Sequence, residues 1–599
     1  MLKTRRTILQ DYQERVAQFI SISTKQRTQY NRLSLVRLLV FIAAIFLSIL
    51  IFSKVNIWAC FVFILIFLFA FGRFIFWHRE ILEQSKHNKF MSLINEEEVA
   101  AMSFQFQQFD DGERFIDVHH SYVVDMDIFG SHSLFQYFNR TATVIGAEQL
   151  ATYLSTVASK EEILLRQKAV KELSAQLDWR QHFQAHGKVT TDNAQHLVLL
   201  DNWLSDAPFV NNNRWLKIAL VFVPIWMIVG LSLSFYHASW LLAIFFILLP
   251  NFIINKTKDR VKETHNRTTH AGEILSFYAQ LIKHIEGASF HATKLTALQQ
   301  YFFENNLRAS IQIKRLSYII RQLNVRYNFF ATFFNLIGLW DLFWVRKLEQ
   351  WKSDCKDNLP QWFEGLKEFE ALLSLATIHH NNPDWTFPVI TETQRLEGKH
   401  LSHPLIPTGG RVGNDFKMPT KGHIKLITGS NMAGKSTFLR TVGVNIILAM
   451  AGSAVCAKAL SLPLLRVYSS MRTQDALHES TSSFYAELKR LKLIIEAVES
   501  NENVLFLLDE ILKGTNSRDR HTGSRALIEQ MIKSKGAGLI ATHDLELGDM
   551  EASSEGTIEN LCMEVAVENG VLQFDYQLKK GISQSFNATI LMKEMGIDI

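Results

Sequence analysis

The stretch Gly429-Ser-Asn-Met-Ala-Gly434-Lys435-Ser436 fits the spacing G-x-x-x-x-G-K-S. Glycines at its ends let a backbone fold round a phosphate with its N–H groups pointing inward. A helix N-terminus placed after it adds positive potential. A lysine at this spacing reaches the β and γ phosphates of a triphosphate, and the next hydroxyl ligates Mg²⁺. Residues 424–428 read as a strand and 437–450 as a helix, the context this chemistry needs. A second element, Val504-Leu-Phe-Leu-Leu-Asp509-Glu510, reads as a buried strand ending in two acids. Such strand tips lie where parallel sheets bind ligands. Asp509 is expected to hold Mg²⁺, and Glu510 to orient or deprotonate an attacking water. A third run, 539–542, ends at His543, placed to sense a γ-phosphate. A lone histidine is more often structural, and the two neighbouring motifs are what favour the functional role. The expected catalytic set is Glu510, Lys435 and His543. ATP would lie on Gly429, Ser430, Asn431, Met432, Ala433, Gly434, Lys435, Ser436 and Thr437, and Mg²⁺ on Ser436 and Asp509.

The rest of the 599-residue chain must position these groups. Its formal net charge of +5 is too small to argue for nucleic acid, and 48% hydrophobic residues exclude a disordered protein. Cys60, Cys355, Cys456 and Cys562 are far apart and form no CxxC pair, so neither a disulfide framework nor a zinc site is expected. Residues 38–72 carry one charge, Lys54, and residues 218–255 carry none. Each block is about twice the ~20 residues that span a bilayer. Each breaks near its middle, at Ser53-Lys54-Val55-Asn56 and at Tyr236-His237-Ala238-Ser239. Two transmembrane hairpins are expected. Buried core helices are the alternative, disfavoured because back-to-back uncharged runs of this length are rare in soluble cores. Basic residues flank both blocks, Arg32, Arg37, Arg73 and Arg79 on the first and Lys256, Lys258 and Arg260 on the second. This charge asymmetry places the soluble parts in the cytoplasm, below an inner-membrane anchor.

Residues 78–217 and 256–380 read mainly as helices, with one strand-like piece at 121–127. Phe329, Phe330, Phe333, Phe334, Trp340 and Trp344 recur at helical spacing and are expected to pack in a core or helix seam. Composition changes near Pro383, where Asn381-Asn382-Pro383-Asp384 reads as a linker, followed by loop at 404–413. Beyond it, strands alternate with helices, which implies a parallel sheet.

The phosphate loop and its neighbours resemble the ATPase domain of the MutS family. Thr428-Gly-Ser-Asn-Met-Ala-Gly-Lys-Ser-Thr-Phe-Leu-Arg440 resembles T-G-P-N-M-G-G-K-S-T-x-x-R. Leu508-Asp-Glu-Ile-Leu-Lys-Gly-Thr-Asn-Ser-Arg-Asp519 resembles L-D-E-I-G-R-G-T-S-T-x-D. Ala541-Thr-His-Asp-Leu-Glu-Leu547 is similar to A-T-H-Y-x-E-L, and residues 475–487 to the ABC-like signature segment. Upstream, Asn139-Arg-Thr-Ala-Thr143-Val-Ile-Gly146 and Arg166-Gln-Lys-Ala-Val170 resemble core-domain motifs of the family. A multidomain protein is expected: the apolar runs give four transmembrane helices in two hairpins, which lie outside the family pattern, and the resemblance implies an α-helical MutS-like core and lever and a C-terminal α/β P-loop ABC-type ATPase domain. The expected division is 1–32 helical segment, 33–77 first hairpin, 78–214 core, 215–255 second hairpin, 256–385 lever and core, and 386–599 ATPase.

It further implies a homodimer in which Ser482 and Ser483 of one copy complete the ATP site of the other, with DNA as a family cargo. The departures qualify that cargo. No G-x-F-x-E wedge motif, the mark of the mismatch-reading domain, precedes the core, and the second hairpin stands where the family inserts its DNA clamp. A membrane ATPase switch acting on a protein or lipid is the alternative function. An ABC-type transporter is weaker, because no span carries an ionisable residue that would mark a pathway. Ala433 replaces a loop glycine, Ser480 replaces the signature glycine, and Arg411 stands near the expected adenine-stacking position.

Overall fold

The computed structural model describes residues 4–188, 202–269, 271–303, 308–327, 331–430, 432–472, 483–500, 502–568 and 571–583. Two long helices open the chain, α1 (Arg5–Lys54) and α2 (Ile57–Met102), of 50 and 46 residues. The predicted break at 53–56 is their turn. The Asn56 side chain accepts from Ala59 N and so starts α2. Outside the apolar part the pair stays zipped, with the His78 ring stacked on Tyr30 at 4.1 Å and Ser23 bonded to Ser85. The helices α3 (Leu134–Phe138), α4 (Val144–Ser155), α5 (Lys160–Ala175) and α6 (Leu177–Gly187) follow. The second hairpin is α7 (Arg214–Tyr236) and α8 (Trp240–Thr268), again turning where the sequence predicts. In all four long helices the apolar window is at most 22% buried, which argues against the core-helix alternative.

After α9 (Ala271–Glu286), α10 (Thr293–Gln300), α11 (Ala309–Asn324), α12 (Ala331–Gly338) and α13 (Trp340–Cys355) comes α14 (Leu359–Asn381). Most of α14 is buried, because α4 and α5 pack along it. Its carboxylates are used as caps. Glu370 accepts from Ala142 N, Thr143 N and the Thr143 hydroxyl, where the Asn139–Gly146 motif turns into α4.

Three expectations are corrected here. Asn381 and Asn382 are not a linker but a buried knot. Asn381 accepts from the Tyr12 hydroxyl at 2.8 Å and donates to Glu98 at 2.7 Å, while Asn382 accepts from Arg5 and donates to Ile378 O. Asparagine is a turn former by local preference, but each side chain has two donors and two lone pairs, enough to tie three helices together. Residues 121–127 form turns rather than a strand. Tyr122, Val123 and Met126 are all buried, so no face alternation exists for a strand to exploit, and Met126 N and Ile128 N close back onto Tyr122 O and Val123 O. The aromatic run is not core throughout, because Phe333 is 58% and Phe334 41% exposed. Phe329 and Phe330 lie outside the described residues.

Among the described residues the C-terminal region holds two sheets. One has the order β1-β5-β2-β3, from β1 (Val389–Ile390), β2 (Arg395–Leu401), β3 (Asn414–Pro419) and β5 (Ala459–Leu462). The other runs β10-β9-β4-β8-β7-β6, from β4 (His423–Gly429), β6 (Arg466–Ser470), β7 (Val504–Asp509), β8 (Ala537–Thr542), β9 (Ile558–Glu568) and β10 (Val571–Lys580). In the second sheet only the β9–β10 pair is antiparallel. The helices α15 (Lys435–Ala451), α16 (Ser483–Glu499) and α17 (Ser517–Lys533) connect its strands.

Candidate nucleotide site

Register alone brings the three motifs together. In the parallel sheet Thr428 on β4 pairs with Thr542 on β8, and Ala541 on β8 pairs with Asp509 on β7. The chain therefore leaves three adjacent strand tips as Gly429, His543 and Glu510, all at the same edge. Gly429 has φ 152°, and a Cβ there would lie 2.5 Å from Met563 O, so only glycine fits. Gly434 has φ 101°, faces the Tyr576 ring, and is the N-cap of α15. Met432 takes the left-handed conformation (φ 70°), while Ala433 is not among the positive-φ residues, so its methyl is tolerated. The helix begins at Lys435, with Ser436 and Thr437 in its first turn.

Lys435 is buried and turned back onto its own loop. Its Nζ donates to Gly429 O at 2.8 Å and Ser430 O at 3.0 Å. Burial lowers its pKa, and Glu510 and Asp509 oppose that shift. Glu510 Oε1 lies 2.6 Å from His543 Nε2 and its Oε2 lies 3.2 Å from Lys513. The hydrogen bond from His543 is the main reason its pKa falls to about 2. His543 Nε2 is also 3.4 Å from Lys435 Nζ. With its proton donated to Glu510, that nitrogen has no lone pair for the lysine, so the lysine contact is proximity alone. Glu510 (φ 51°) and Leu512 (φ 61°) are both left-handed. The motif that residues 508–519 resemble carries glycine at the Leu512 position, so this chain holds a strained leucine there, 7% exposed. Glu487 fixes the turn by accepting from Leu512 N at 2.5 Å.

The donor set suits a hard cation. Asp509 Oδ1 is buried with no hydrogen-bond partner, an arrangement costly for a carboxylate unless something binds it. With the Ser436 hydroxyl in the first turn of α15, it supplies the oxygen ligands that Mg²⁺ prefers. A cleft of about 410 Å³ opens over the loop, lined by His403, Ile406, Val412, Lys435, Glu510 and Tyr576 among others.

The predicted residues Gly429, Ser430, Gly434, Lys435, Ser436, Asp509, Glu510 and His543 thus meet at one edge. Asn431 and Ser482 lie outside the described residues, and Ser483 opens α16. Arg411 does not face the cleft. It donates to Ile406 O and Pro404 O and stands over Trp385, because two carbonyls and an indole face satisfy its guanidinium. Tyr576 puts an aromatic ring in the lining of the cleft, and sequence reasoning missed it because β10 carries no motif. Lys513 was within a quoted motif and went unassigned. Both ends of α15 touch the helical core. Arg440 pairs with Asp127 at 3.2 Å, and Gly452 lies against Arg166.

A phosphate loop between a parallel strand and a helix, with paired acids on the strand tip next but one in the sheet, defines an ATP-hydrolysing P-loop domain. Residues 425–594 match the family model described as MutS domain V, so this part of the chain is an ABC-type ATPase domain of the MutS kind. The chain is 33% identical over 260 residues to the DNA mismatch repair protein MutS of Thermotoga sp. (strain RQ2), a match covering 42% of this chain and 32% of that protein. The proteins of the same name from Shouchella clausii (strain KSM-K16) and Aquifex pyrophilus are 32% and 34% identical over 230 and 201 residues. Those matches cover 37% and 33% of this chain, and 26% and 23% of the relatives. The chain therefore spans about a third or less of the relatives it matches.

Proposed function

We propose that this chain is a membrane-anchored ATPase of the MutS type, in which ATP turnover between two copies moves a helical core held to the bilayer by two hairpins. The single observation that carries this reading is the convergence of Asp509, Glu510 and His543 at adjacent strand tips with Lys435, which starts a helix whose Arg440 grips the core through Asp127. Lys435 binds the triphosphate, leaving its two loop carbonyls to do so. Ser436 and Asp509 hold Mg²⁺, which screens phosphate charge when bound. Glu510 positions the attacking water and accepts its proton, and His543 orients Glu510. Tyr576 and Val412 give the base an apolar wall. Ser482 and Ser483 act on the partner's nucleotide, which makes the homodimer the active form.

The membrane reading rests on the aromatic ends of the apolar helices. Trp58 and Trp77 are both exposed and about 28 Å apart at 1.5 Å per residue. Trp215 and Tyr236, also exposed, are about 31 Å apart by the same rise. Both match a hydrocarbon thickness of ~30 Å with interfacial aromatics at its edges. With the basic flanks, this supports a core and ATPase on the cytoplasmic side of an inner membrane.

A second reading, DNA as cargo, is favoured by the relatives, which are named DNA mismatch repair proteins. The full chain in lipid nanodiscs decides between them. Binding of duplex, mismatched or branched DNA that weakens steeply with salt supports the DNA cargo. ATP turnover with no salt-dependent DNA binding leaves the protein- or lipid-directed switch.

A further inference from the structure

Between Arg326 and Asp341 the chain carries no charge: Tyr-Asn-Phe-Phe-Ala-Thr-Phe-Phe-Asn-Leu-Ile-Gly-Leu-Trp. A run of this length is too short to span a bilayer. It belongs either to a buried core helix or to an interfacial or re-entrant segment. Burial decides between the two. Within α12, Ala331 is the one residue whose side chain is buried. Phe333 is 58% exposed, Phe334 41%, and Phe343, in the next helix, 41%. A soluble protein does not usually leave aromatics this close together open to water.

The neighbours of α12 say what covers it. It packs against both α7 and α8, the helices of the second hairpin. Along α7 the buried stripe is Leu216, Ala219, Leu220, Val223, Met227 and Gly230, which begins at the Trp215 end. The exposed residues of the same helix, Ile218, Val221, Phe222 and Ile225, are apolar and face outward. The aromatic surface of α12 thus continues a surface read as lipid-facing. Ionisable groups bracket the run. Arg326 pairs with the buried Asp341 at 3.5 Å, and Arg346 and Lys347 follow on α13, with Lys347 over the Phe343 ring. An apolar body with cations at its edge is the pattern of a segment lying in a membrane interface.

We propose that α12 and the start of α13 form a third membrane contact, a non-spanning segment whose Phe333, Phe334 and Phe343 enter the cytoplasmic leaflet beside the second hairpin. It rests on the membrane reading above. It adds that the lever region between α11 and α14, and not only the hairpins, is held to lipid. A displacement of this lever would then be felt at the bilayer surface.

The test is site-directed spin labelling of the full chain in nanodiscs, reading collision with oxygen against a water-soluble nickel chelate. The native cysteines are all buried, so single cysteines can be introduced by Phe334→Cys and Phe343→Cys. Ile228→Cys marks the span and Lys492→Cys the aqueous face. The expected result is oxygen-rich, nickel-poor accessibility at 334 and 343, close to that at 228 and several-fold shifted from 492. Values at 334 and 343 equal to 492, with 228 lipid-like, overturn the third contact while leaving the hairpins in place. Aqueous values at 228 as well overturn the membrane reading itself. Labelling two independent positions keeps the outcome readable should one variant fold poorly.

Discussion

Glu510 is clamped by His543 and Lys513, and a carboxylate held this way is fully ionised but weakly basic, with its pKa near 2. A base that weak takes a proton from water poorly, so turnover requires one of these contacts to loosen. Replacing Glu510 by Gln keeps the shape and removes the base. ATP hydrolysis in E510Q is expected to fall by about 10²–10⁴-fold with nucleotide binding retained, measured as turnover against equilibrium binding. Lys435 gives a pH prediction with a definite sign. Its pKa is lowered by burial, and the deprotonated amine no longer attracts phosphate. Affinity for ATP should therefore fall with rising pH earlier than for an ordinary lysine. Titrating the dissociation constant between neutral and alkaline pH checks this, and Lys435→Arg, whose charge does not titrate there, should flatten the dependence.

The helical elements are tied by buried ions rather than by apolar contact alone. Arg140 bonds Glu98 at 2.5 Å, and Glu98 also holds Asn381 at the end of α14. Removing one partner leaves the other charge uncompensated, so Arg140→Met should destabilise the fold by about 3–5 kcal/mol, read by chemical denaturation. Where α2 meets α6 and α9, four imidazoles cluster, with His87 stacked on His182. His87 Nε2 lies 2.8 Å from His182 Nδ1, and the rings of His186 and His284 adjoin. Burial lowers His87 and His186 to about 4. Between an unfolded pKa of about 6.5 and that value, the unfolded chain binds protons that the fold excludes. Stability must then fall as pH drops through this window. Thermal melts at pH 7.5 and pH 5 should differ, and His186→Gln should shrink the difference.

The same elements show what a sequence can and cannot reveal. The hairpin turns were readable because long uncharged runs ended at polar residues, and Asn56 then proved to be a cap. The strands β4, β7 and β8 were readable from unbroken apolar runs. The strand β2 was not, because its buried face is only Leu396, Gly398 and Leu401, a glycine stands at the middle position, and the irregularity between Gly398 and Leu401 breaks the period of two. Asn381 and Asn382 misled because local preference says turn, and only distant partners (Tyr12, Glu98 and Arg5) make them a knot.

At the scale of the whole molecule, one path of contacts joins the first apolar hairpin to the phosphate loop. Helix α1 of the first hairpin carries Tyr12 and Arg5, which grip the end of α14. The core then reaches the ATPase at Asp125 and Asp127. Asp125 accepts from Ser469 and from the backbone of Met471 and Arg472, and Asp127 pairs with Arg440 at the phosphate-loop helix. The two apolar hairpins, the phosphate loop and the strands that end at Asp509 and Thr542 were legible, since unbroken apolar runs and motif spacing are local signals. Tyr576 and the contacts between parts were not, because those depend on tertiary packing that no local pattern encodes. The most direct measurement is steady-state ATP hydrolysis by the full chain in nanodiscs beside its Lys435→Ala variant. The account predicts turnover in the parent and loss to background in K435A, and a variant that hydrolyses ATP at the parent rate would contradict it.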